Sequence, residues 1–317
     1  MRAVWLREFG GPEVLRVEET PEPPVGPGQV MIDVTYTNTT FVETQVRANA
    51  GPFEVELPMI MGNGVGGVVT TVGEGVDKAL TGRQVVSSTG GSGGYAERVA
   101  TDAAGLFDVP PGLDLDAAVA LLADGRTAVM LVRTVGIAKG DRVLVEAAAG
   151  GVGTLLVQLA RSAGATVVAA AGGDRKVEVA RDLGAEHVVD YLRPDWTEQV
   201  REAVGGVDVV LDGVGGTVAH AAFDLLDRGG RMLSYGLASG EWAGISADAA
   251  AERGVALVTS TPTQEELRTF TIDVLAEAAA GRVRPLIGQR FPLERAADAH
   301  AAIQGRATVG KTLLEVR

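Results

Sequence analysis

One segment near the middle of the chain restricts the possible folds more than any other. The apolar run Val143-Leu144-Val145 leads into Ala148-Ala149-Gly150-Gly151-Val152-Gly153, and a helix-like stretch follows at once. A second apolar run, Thr166–Ala170, comes at the spacing expected for a strand–turn–helix–strand unit. In this context a glycine turn is typical of a parallel sheet that binds a dinucleotide at the N-terminus of the helix. The alternative is a glycine-rich turn in an α/β protein that binds no ligand.

The residues that follow Leu115 support such a sheet, because uninterrupted apolar runs alternate with helix-like stretches. The predicted strands are Arg142–Glu146, Thr166–Ala170, His187–Val189, Val207–Leu211 and Arg231–Tyr235. The predicted helices are Asp116–Leu122, Arg126–Val135, Gly153–Ala163, Lys176–Leu183, Thr197–Val204 and Val218–Leu226. The pattern predicts an α/β fold with a Rossmann-type, doubly wound parallel sheet.

The first third of the chain has a different pattern, in which short β-rich runs are separated by Pro and Gly. These runs are Val14–Glu18, Gln29–Tyr36, Gly67–Val72, Gln84–Ser87 and Tyr95–Ala100. They favour a partly closed, mostly antiparallel β-barrel. After a predicted helix at Glu265–Ala280, predicted strands at Pro285–Arg290 and Thr312–Val316 indicate a return to this first domain. We therefore divide the chain into residues 1–121, residues 122–262 and a returning segment, residues 263–317.

Composition excludes several classes of function. The chain has 28 Lys and Arg against 41 Asp and Glu, so its net charge of −13 disfavours binding to nucleic acid. With no cysteine and only His187, His220 and His300, far apart in sequence, no metal site is predicted. The N-terminus lacks the apolar stretch of a signal peptide, and no run is long enough to span a membrane. A soluble cytoplasmic protein is expected.

The end of the second strand bears on which dinucleotide is bound. Enzymes that use NAD usually place an acidic residue there, to accept a hydrogen bond from the ribose hydroxyl. This strand instead ends in Ala171-Gly172-Gly173, followed by Asp174, Arg175 and Lys176. Small residues and cations accommodate a 2′-phosphate, so the sequence favours NADPH. Arg175 and Lys176 have the alternative of being ordinary solvated helix charges.

By these and other segments the chain resembles the medium-chain dehydrogenase/reductase superfamily, and within it the zinc-independent, zeta-crystallin-like quinone oxidoreductases. The resemblance covers essentially the whole chain. The matching segments are 62–69, 72–76, Gly93-Gly94-Tyr95-Ala96-Glu97, 148–160, 183–191, 209–216, and a tail from Phe291 through His300 to Gly310-Lys311. The resemblance implies that the antiparallel domain is a GroES-like catalytic domain.

The resemblance also implies which residues meet the cofactor. The glycine turn, with Ala149, Gly150, Gly151, Val152 and Gly153, would line the pyrophosphate. Arg175, Lys176 and Tyr191 would meet the 2′-phosphate beside Gly172 and Gly173, where relatives often have a serine. Thr127, Val214, Tyr235 and Gly236 would lie along the ribose and nicotinamide. Tyr191 has the alternative of a half-buried packing role, and Thr127 that of capping a helix.

At the three positions that hold catalytic zinc in the alcohol dehydrogenase branch, the chain has Thr40, Asn63 and Ala123. None of these side chains is a useful zinc ligand, and the cysteine-rich second zinc lobe is absent. The resemblance therefore implies an enzyme without zinc.

The candidate catalytic residues are Thr40, Gln45, Arg47 and Asn63. Thr40 replaces an asparagine of the family pattern, and Gln45 replaces a tyrosine that is often proposed to contact substrate. Gln45 cannot act as an acid, which puts a tyrosine-based proton relay in doubt. Arg47 is spaced for a helical ion pair with Glu43, a structural alternative to catalysis.

Without a zinc ion, hydride transfer is easiest to an acceptor that delocalises the developing charge. The sequence therefore predicts an NADPH-dependent reductase of a quinone or another conjugated carbonyl compound. One alternative is an enoyl reductase acting on an α,β-unsaturated ketone or acyl thioester, and another is a non-catalytic NADPH-binding protein. Relatives are commonly homodimers joined through sheet edges, for which residues 255–258 offer a plausible edge strand.

Overall fold

Helices and strands alternate along most of the chain in a computed structural model that describes residues 1–50 and 54–317. The strands are β1 Arg2–Leu6, β2 Leu15–Glu19, β3 Gln29–Thr39, β4 Met59–Ile60, β5 Gly64–Val72, β6 Gln84–Ser88, β7 Arg98–Asp102, β8 Leu106–Asp108, β9 Arg142–Val145, β10 Thr166–Ala171, β11 His187–Asp190, β12 Val207–Asp212, β13 Leu226–Ser234, β14 Ala256–Leu257, β15 Ile287–Pro292 and β16 Lys311–Glu315. The helices are α1 Phe41–Arg47, α2 Leu115–Val135, α3 Gly151–Ser162, α4 Asp174–Asp182, α5 Trp196–Val204, α6 Gly216–Phe223, α7 Ala247–Arg253, α8 Gln264–Ala279 and α9 Ala296–Gln304.

The chain divides into two compact units. Unit 1 consists of Met1–Ala123 and Leu275–Arg317, and unit 2 of Asp124–Val274. Both divisions fall inside helices, α2 and α8. None of the helices in the described ranges is long and apolar enough to cross a membrane.

Unit 2 contains a parallel sheet with the strand order β11-β10-β9-β12-β13-β14. Its central strands are apolar on both faces; the consecutive residues Val143, Leu144 and Val145 of β9, which alternate between the faces, are each 0% exposed. Burying one such side chain stabilises the fold by roughly 1.5–3 kcal/mol, which explains why these runs form the middle of the sheet. The predicted Rossmann-type sheet is confirmed.

The strand order determines where a ligand can bind. Strands β10, β9, β12 and β13 are neighbours and run parallel, so their carboxyl ends lie side by side at one edge of the sheet. The turns that follow these four strands therefore meet there, at the edge where open α/β sheets bind ligands.

Unit 1 is mostly antiparallel. One sheet has the order β15-β16-β3-β5-β6-β8, with β7 also paired to β3, and the other has the order β2-β1-β4. The long strand β3 is central to the first sheet, and its residues Val30, Ile32 and Val34 are 0% exposed. As predicted, the chain returns to this unit after α8, and β16 lies between β15 and β3.

Some predicted boundaries are wrong. Asp116–Leu122 and Arg126–Val135 form one continuous helix, α2, in which Gly125 is an interior residue. An interior glycine costs roughly 1 kcal/mol relative to alanine, which is less than the burial of neighbours such as Leu121 and Leu122 contributes. The strand predicted at Tyr95–Ala100 begins later, as β7.

Candidate active site

The glycine turn between β9 and α3 leaves no room for side chains. Ala147 has a φ of 48°, and the Gly150 N–H donates to the Ala147 carbonyl at 2.8 Å. A Cβ atom on Gly153 would lie 2.2 Å from the Ala147 oxygen and 2.8 Å from Cα of Ala148. Glycine at 153 is therefore what allows the first turn of α3 to pack on the chain that leaves β9.

The first turn of α3 suits an anion. The helix begins at Gly151, and its N-cap residue, Gly150, has no side chain that could make a competing hydrogen bond. The first N–H groups of a helix have no partner within the helix, and the helix dipole is positive at this end. Ala149 is 1% exposed, so it contributes backbone only. The residues present fit the pyrophosphate of a dinucleotide.

The turn after β10 is shaped by its neighbour, β11. A Cβ atom on Gly172 would lie 3.0 Å from the ring of Tyr191, so the ring packs directly over this glycine. Gly173 has a φ of 88°. Asp190 Oδ1 accepts hydrogen bonds from the Gly173 and Leu192 N–H groups, each at 2.9 Å. The structure thus brings the predicted residues Gly172, Gly173 and Tyr191 together.

Sequence reasoning missed Asp190 at this place. It is an acidic residue near the end of β10, although it comes from the adjacent strand, and its Oδ1 is occupied by two backbone donors. The signal was available, because β11 ends at Asp190 at the same edge of the sheet. The predicted absence of an acid at the end of β10 itself is confirmed.

Two cations lie in the first turn of α4, which begins directly after Gly173. Arg175 is exposed, whereas Lys176 is half-buried and its N–H donates to the Gly173 carbonyl at 3.0 Å. Nearby, Tyr191, Trp196 and Thr217 line part of a cavity of about 270 Å³. A half-buried lysine beside a small-residue turn can approach a phosphate without a large loss of solvation.

The turns after β12 and β13 pack against each other. A Cβ atom on Gly236 would lie 2.7 Å from the Gly213 carbonyl oxygen, and one on Gly213 would lie 2.6 Å from the Tyr235 hydroxyl oxygen. The Tyr235 N–H donates to the Asp212 carbonyl at 2.8 Å. The predicted residues Val214, Tyr235 and Gly236 therefore belong to one cluster of turns at the ligand-binding edge.

Two buried carboxyl groups support these turns, and sequence reasoning missed both. Asp212 is 0% exposed, and its Oδ1 accepts from the N–H groups of Val214 at 2.9 Å and Gly215 at 2.7 Å. Glu146, the residue after β9, is also 0% exposed. Burial, and then the charge of Asp212, raise the pKa of the Glu146 carboxyl well above its usual range. The sequence feature that could have identified them is an acidic residue at the end of an apolar strand, as at Glu146 after β9 and Asp212 in β12.

Thr127 lies in the interior of α2, far from its first residue, Leu115. The alternative that Thr127 caps a helix is therefore wrong, because a cap must flank the end of a helix. The side chain is half-buried.

In unit 1 the carboxylate of Glu43 joins two of the predicted catalytic residues. Its Oε2 accepts from the Thr40 N–H at 2.6 Å and from the Thr40 hydroxyl at 3.1 Å, and its Oε1 accepts from the Asn63 N–H at 2.9 Å. In return Thr40 Oγ1 accepts from the Glu43 N–H at 3.4 Å, which completes a capping box at the start of α1. The structure thus brings Thr40 and Asn63 together through a side chain that is 6% exposed.

The Glu43 contacts extend inward to Tyr95 and His300. The Tyr95 hydroxyl lies 3.3 Å from Glu43 Oε2 and 3.1 Å from His300 Nε2. Burial raises the pKa of Glu43, opposed by the hydrogen bonds of Thr40 and by the charge of Lys311. Burial, and then the charge of Arg47, lower the pKa of His300 to about 3, so this imidazole is neutral at physiological pH.

The other two predicted catalytic residues follow Thr40 on α1. Gln45 is half-buried, and its Nε2 donates to Thr44 Oγ1 at 3.4 Å. Arg47 is 0% exposed and donates from Nη2 to Gln304 Oε1 at 2.7 Å. The ion pair expected between Arg47 and Glu43 is wrong, since the Glu43 oxygens accept from Thr40, Asn63 and Tyr95. This burial favours a role for Arg47 in joining α1 to α9.

The described residues contain no group of three or more His, Cys, Asp or Glu side chains that could hold a metal ion. At two of the zinc-ligand positions implied by resemblance, the Thr40 hydroxyl and the Asn63 backbone N–H donate to Glu43, and the Asn63 side-chain oxygen accepts from the Gly91 N–H at 2.7 Å.

Two protein families match separate parts of the chain. A family described as zinc-binding dehydrogenase matches residues 151–277, and one described as alcohol dehydrogenase GroES-like domain matches residues 26–111. Among curated proteins, the chain is 34% identical to a 2-haloacrylate reductase of Burkholderia sp and 32% identical to quinone oxidoreductase 1 of Escherichia coli strain K12. In each pair the match covers 98% of both chains.

Solved structures show the same architecture. A crystal structure of Escherichia coli quinone oxidoreductase complexed with NADPH matches with a TM-score of 0.92 and 28% identity, and covers 100% of both chains. A crystal structure described as an NAD-dependent alcohol dehydrogenase matches with a TM-score of 0.90 and 32% identity, also over 100% of both chains. The full-length similarity shows that this chain belongs to the medium-chain dehydrogenase/reductase superfamily, in its quinone oxidoreductase family.

Proposed function

We propose that this chain is a zinc-independent, NADPH-dependent reductase that delivers hydride to a quinone or another conjugated carbonyl compound. The observation that carries the proposal is the arrangement around Glu43. Thr40 and Asn63 converge on a buried carboxylate whose oxygens are engaged by hydrogen-bond donors. Such a cluster offers a polar contact to an acceptor but no Lewis acid to polarise an isolated carbonyl.

The cofactor residues have distinct proposed roles. NADPH, when bound, supplies the hydride. The N–H groups of Gly150–Gly153 hold the pyrophosphate, and Lys176 with Tyr191 holds the 2′-phosphate over Gly172 and Gly173, with Arg175 nearby. Thr127, Val214, Tyr235 and Gly236 position the ribose and nicotinamide. The turns that carry these residues meet at one sheet edge, apart from Thr127 on α2, and this meeting supports the assignment.

The proposed class of acceptor follows from the lack of a strong proton donor among the candidate catalytic side chains. Gln45 has no acidic proton, and the Thr40 hydroxyl already donates to Glu43. An acceptor that spreads negative charge over a conjugated system needs less assistance from the protein than an isolated carbonyl. The residues proposed to contact it are Thr40, Gln45 and Asn63, while Arg47 holds α1 in place. The oxidoreductases among the relatives make the third alternative, a non-catalytic binding protein, the least favoured.

A second candidate is reduction of an activated carbon–carbon double bond in an enone or acyl thioester. The relative described as a 2-haloacrylate reductase favours it, because a haloacrylate is an activated alkene. Both candidates use the same cofactor site and the same hydride step.

An acceptor screen tests the proposal. NADPH consumption is followed with a naphthoquinone, phenanthrenequinone, a trans-enoyl-coenzyme A, a simple enone and a haloacrylate, with a saturated aldehyde as the non-conjugated control. We expect the highest kcat/KM with the quinones. A higher kcat/KM with the enone or thioester would select the second candidate, and a higher value with the aldehyde would contradict both. Tight NADPH binding without turnover of any acceptor would instead favour a non-catalytic NADPH-binding protein.

Assembly is a separate proposal. Strand β14 is the last strand of the parallel sheet, and Leu257 on it is 39% exposed. We propose a homodimer formed through this edge, which light scattering of the purified chain would test. The cytoplasmic location stays a prediction.

A further inference from the structure

The two buried carboxyl groups of unit 2 lie on neighbouring strands in register. Val145 of β9 is paired with Leu211 of β12, so the next residues, Glu146 and Asp212, are also opposite each other. The Glu146 N–H donates to the Leu211 carbonyl at 3.1 Å, which fixes the alignment. Paired residues of parallel strands project to the same face of the sheet, so both carboxyl groups occupy one dry site beneath the turns.

If both carboxyl groups were ionised, this site would contain more hydrogen-bond acceptors than donors. Asp212 Oδ1 accepts from the Val214 and Gly215 N–H groups. Asp212 Oδ2 and both Glu146 oxygens are buried and have no donor among the described residues. An ionised carboxylate only accepts hydrogen bonds, whereas a protonated one also donates. A single proton on one of the two groups would supply the donor that this site lacks.

We propose that Glu146 and Asp212 share one proton and act as a positioning pair, in which protonated Glu146 donates to Asp212 Oδ2 and Asp212 holds the 213–215 turn in place. The proton is assigned mainly to Glu146, because Asp212 Oδ1 already accepts from two N–H groups whereas neither Glu146 oxygen has a donor among the described residues. The effect on cofactor affinity rests on the proposed function, which places Val214 along the nicotinamide.

The surroundings explain why the proton is retained. Tyr235 packs on the pair: its N–H donates to the Asp212 carbonyl, and its hydroxyl lies 3.4 Å from the Glu146 carbonyl oxygen. Burial, and then Glu146, Asp212, Tyr191 and Asp124, raise the pKa of Tyr235, so these groups all face one region. A second negative charge on Glu146 would stand against Asp212 in a site closed to water, where charge repulsion is weakly screened. Loss of the proton would therefore repel the carboxylate of Asp212, which holds the 213–215 turn in place.

Infrared spectroscopy of the full chain tests the shared proton directly. At about pH 7 exposed carboxyl groups are ionised, so a carboxylic-acid C=O band that shifts in D2O reports a retained proton. We expect the wild-type chain and Glu202→Gln to show a component of this band that Glu146→Gln lacks. The control Glu202→Gln makes the same chemical change at an exposed residue of unit 2. Absence of the band from the wild-type chain would overturn the proposal, whether or not the variants fold.

NADPH binding, measured by fluorescence without any acceptor, tests the positioning role. In Glu146→Gln the amide N–H can donate to Asp212 but cannot titrate. As the pH is raised from neutral into the alkaline range, we expect the wild type and Glu202→Gln to lose affinity, by at most about tenfold per pH unit because one proton is involved, and Glu146→Gln to keep its neutral-pH affinity. An equal pH dependence in Glu146→Gln and the wild type would assign the titration to another group and refute the positioning role. Failure of quinone turnover would leave both readouts unaffected, so it contradicts only the proposed function.

Discussion

At the scale of single residues, the buried ionisable groups have the clearest consequences. Glu43, Tyr95 and His300 come from distant parts of the chain and form one hydrogen-bonded series in unit 1. When the Tyr95 hydroxyl donates to Glu43, it accepts from the Nε2–H of neutral His300. A neutral imidazole that carries its proton on Nε2 satisfies this series.

The low pKa of His300 predicts acid sensitivity. The folded chain holds this imidazole neutral down to about pH 3, whereas an unfolded chain binds a proton below the usual value of 6.5. Stability from this group is thus complete above pH 6.5 and is lost as the pH falls towards 3, by about 2 kcal/mol at about pH 5. Denaturant titrations at several pH values should show this loss in the wild type and in exposed His220→Gln, but not in His300→Gln. The same acid loss in His300→Gln would assign it to another group.

The proposed contact of Lys176 with the 2′-phosphate predicts an effect on the choice of cofactor. We expect Lys176→Ala to weaken NADPH binding by about tenfold to hundredfold, the value of a charge-assisted hydrogen bond, and to change NADH binding little. Dissociation constants for both cofactors provide the measurement, with exposed Lys139→Ala as the control. Equal losses for the two cofactors would mean that Lys176 does not meet the 2′-phosphate.

At the scale of elements, the junction of β9 with α3 has no space for a larger residue at Gly153. In Gly153→Ala the new methyl group would lie 2.2 Å from a backbone oxygen, so the helix must move. We expect a loss of about 1–3 kcal/mol in the free energy of unfolding and weaker binding of both NADPH and NADH. Gly105→Ala is the control, because its Cβ would lie 3.7 Å from Ser87 Oγ, an ordinary contact. Unchanged stability and affinity in Gly153→Ala would contradict the close packing.

The sequence predicted elements best where a single local pattern determined them. The strands of unit 2 are apolar runs bounded by helices, and all of those predicted were found. Gly125 caused α2 to be predicted as two helices, because glycine is a poor helix former and the burial that offsets it is tertiary. The short helix α1 was not predicted as such, since its stability depends on a capping box and on contacts with α9.

The site was predicted less completely than the fold, because more of its contacts join residues that are distant in sequence. The glycine turn and the end of β10 are contiguous in sequence, and the pattern placed them correctly. Asp190 accepts from Gly173 after the neighbouring strand β10, Glu146 lies opposite Asp212 on the neighbouring strand β12, and Glu43 acts through residues 20 and 52 positions away. No local pattern contains those partners, so the resemblance identified Thr40 and Asn63 without showing what joins them.

At the scale of the whole molecule, independence from metal is the testable property. We expect dialysis of the full chain against a strong chelator to leave quinone turnover unchanged, and added zinc not to increase it, because Thr40 and Asn63 supply no strong ligand. Elemental analysis before and after dialysis accompanies the assay, and a zinc-dependent dehydrogenase treated in parallel serves as the positive control. Loss of turnover that zinc restores would contradict the expectation.

The position of β16 beside β3 has a consequence for the order in which the chain folds during synthesis. Strand β16 joins β15 to β3, so this side of the main sheet of unit 1 is incomplete until residue 315 has left the ribosome. Unit 2, by contrast, is contiguous from Asp124 to Val274 and is available to fold first. Until translation reaches β16, the nascent N-terminal strands expose the edge of β3 that β16 later covers.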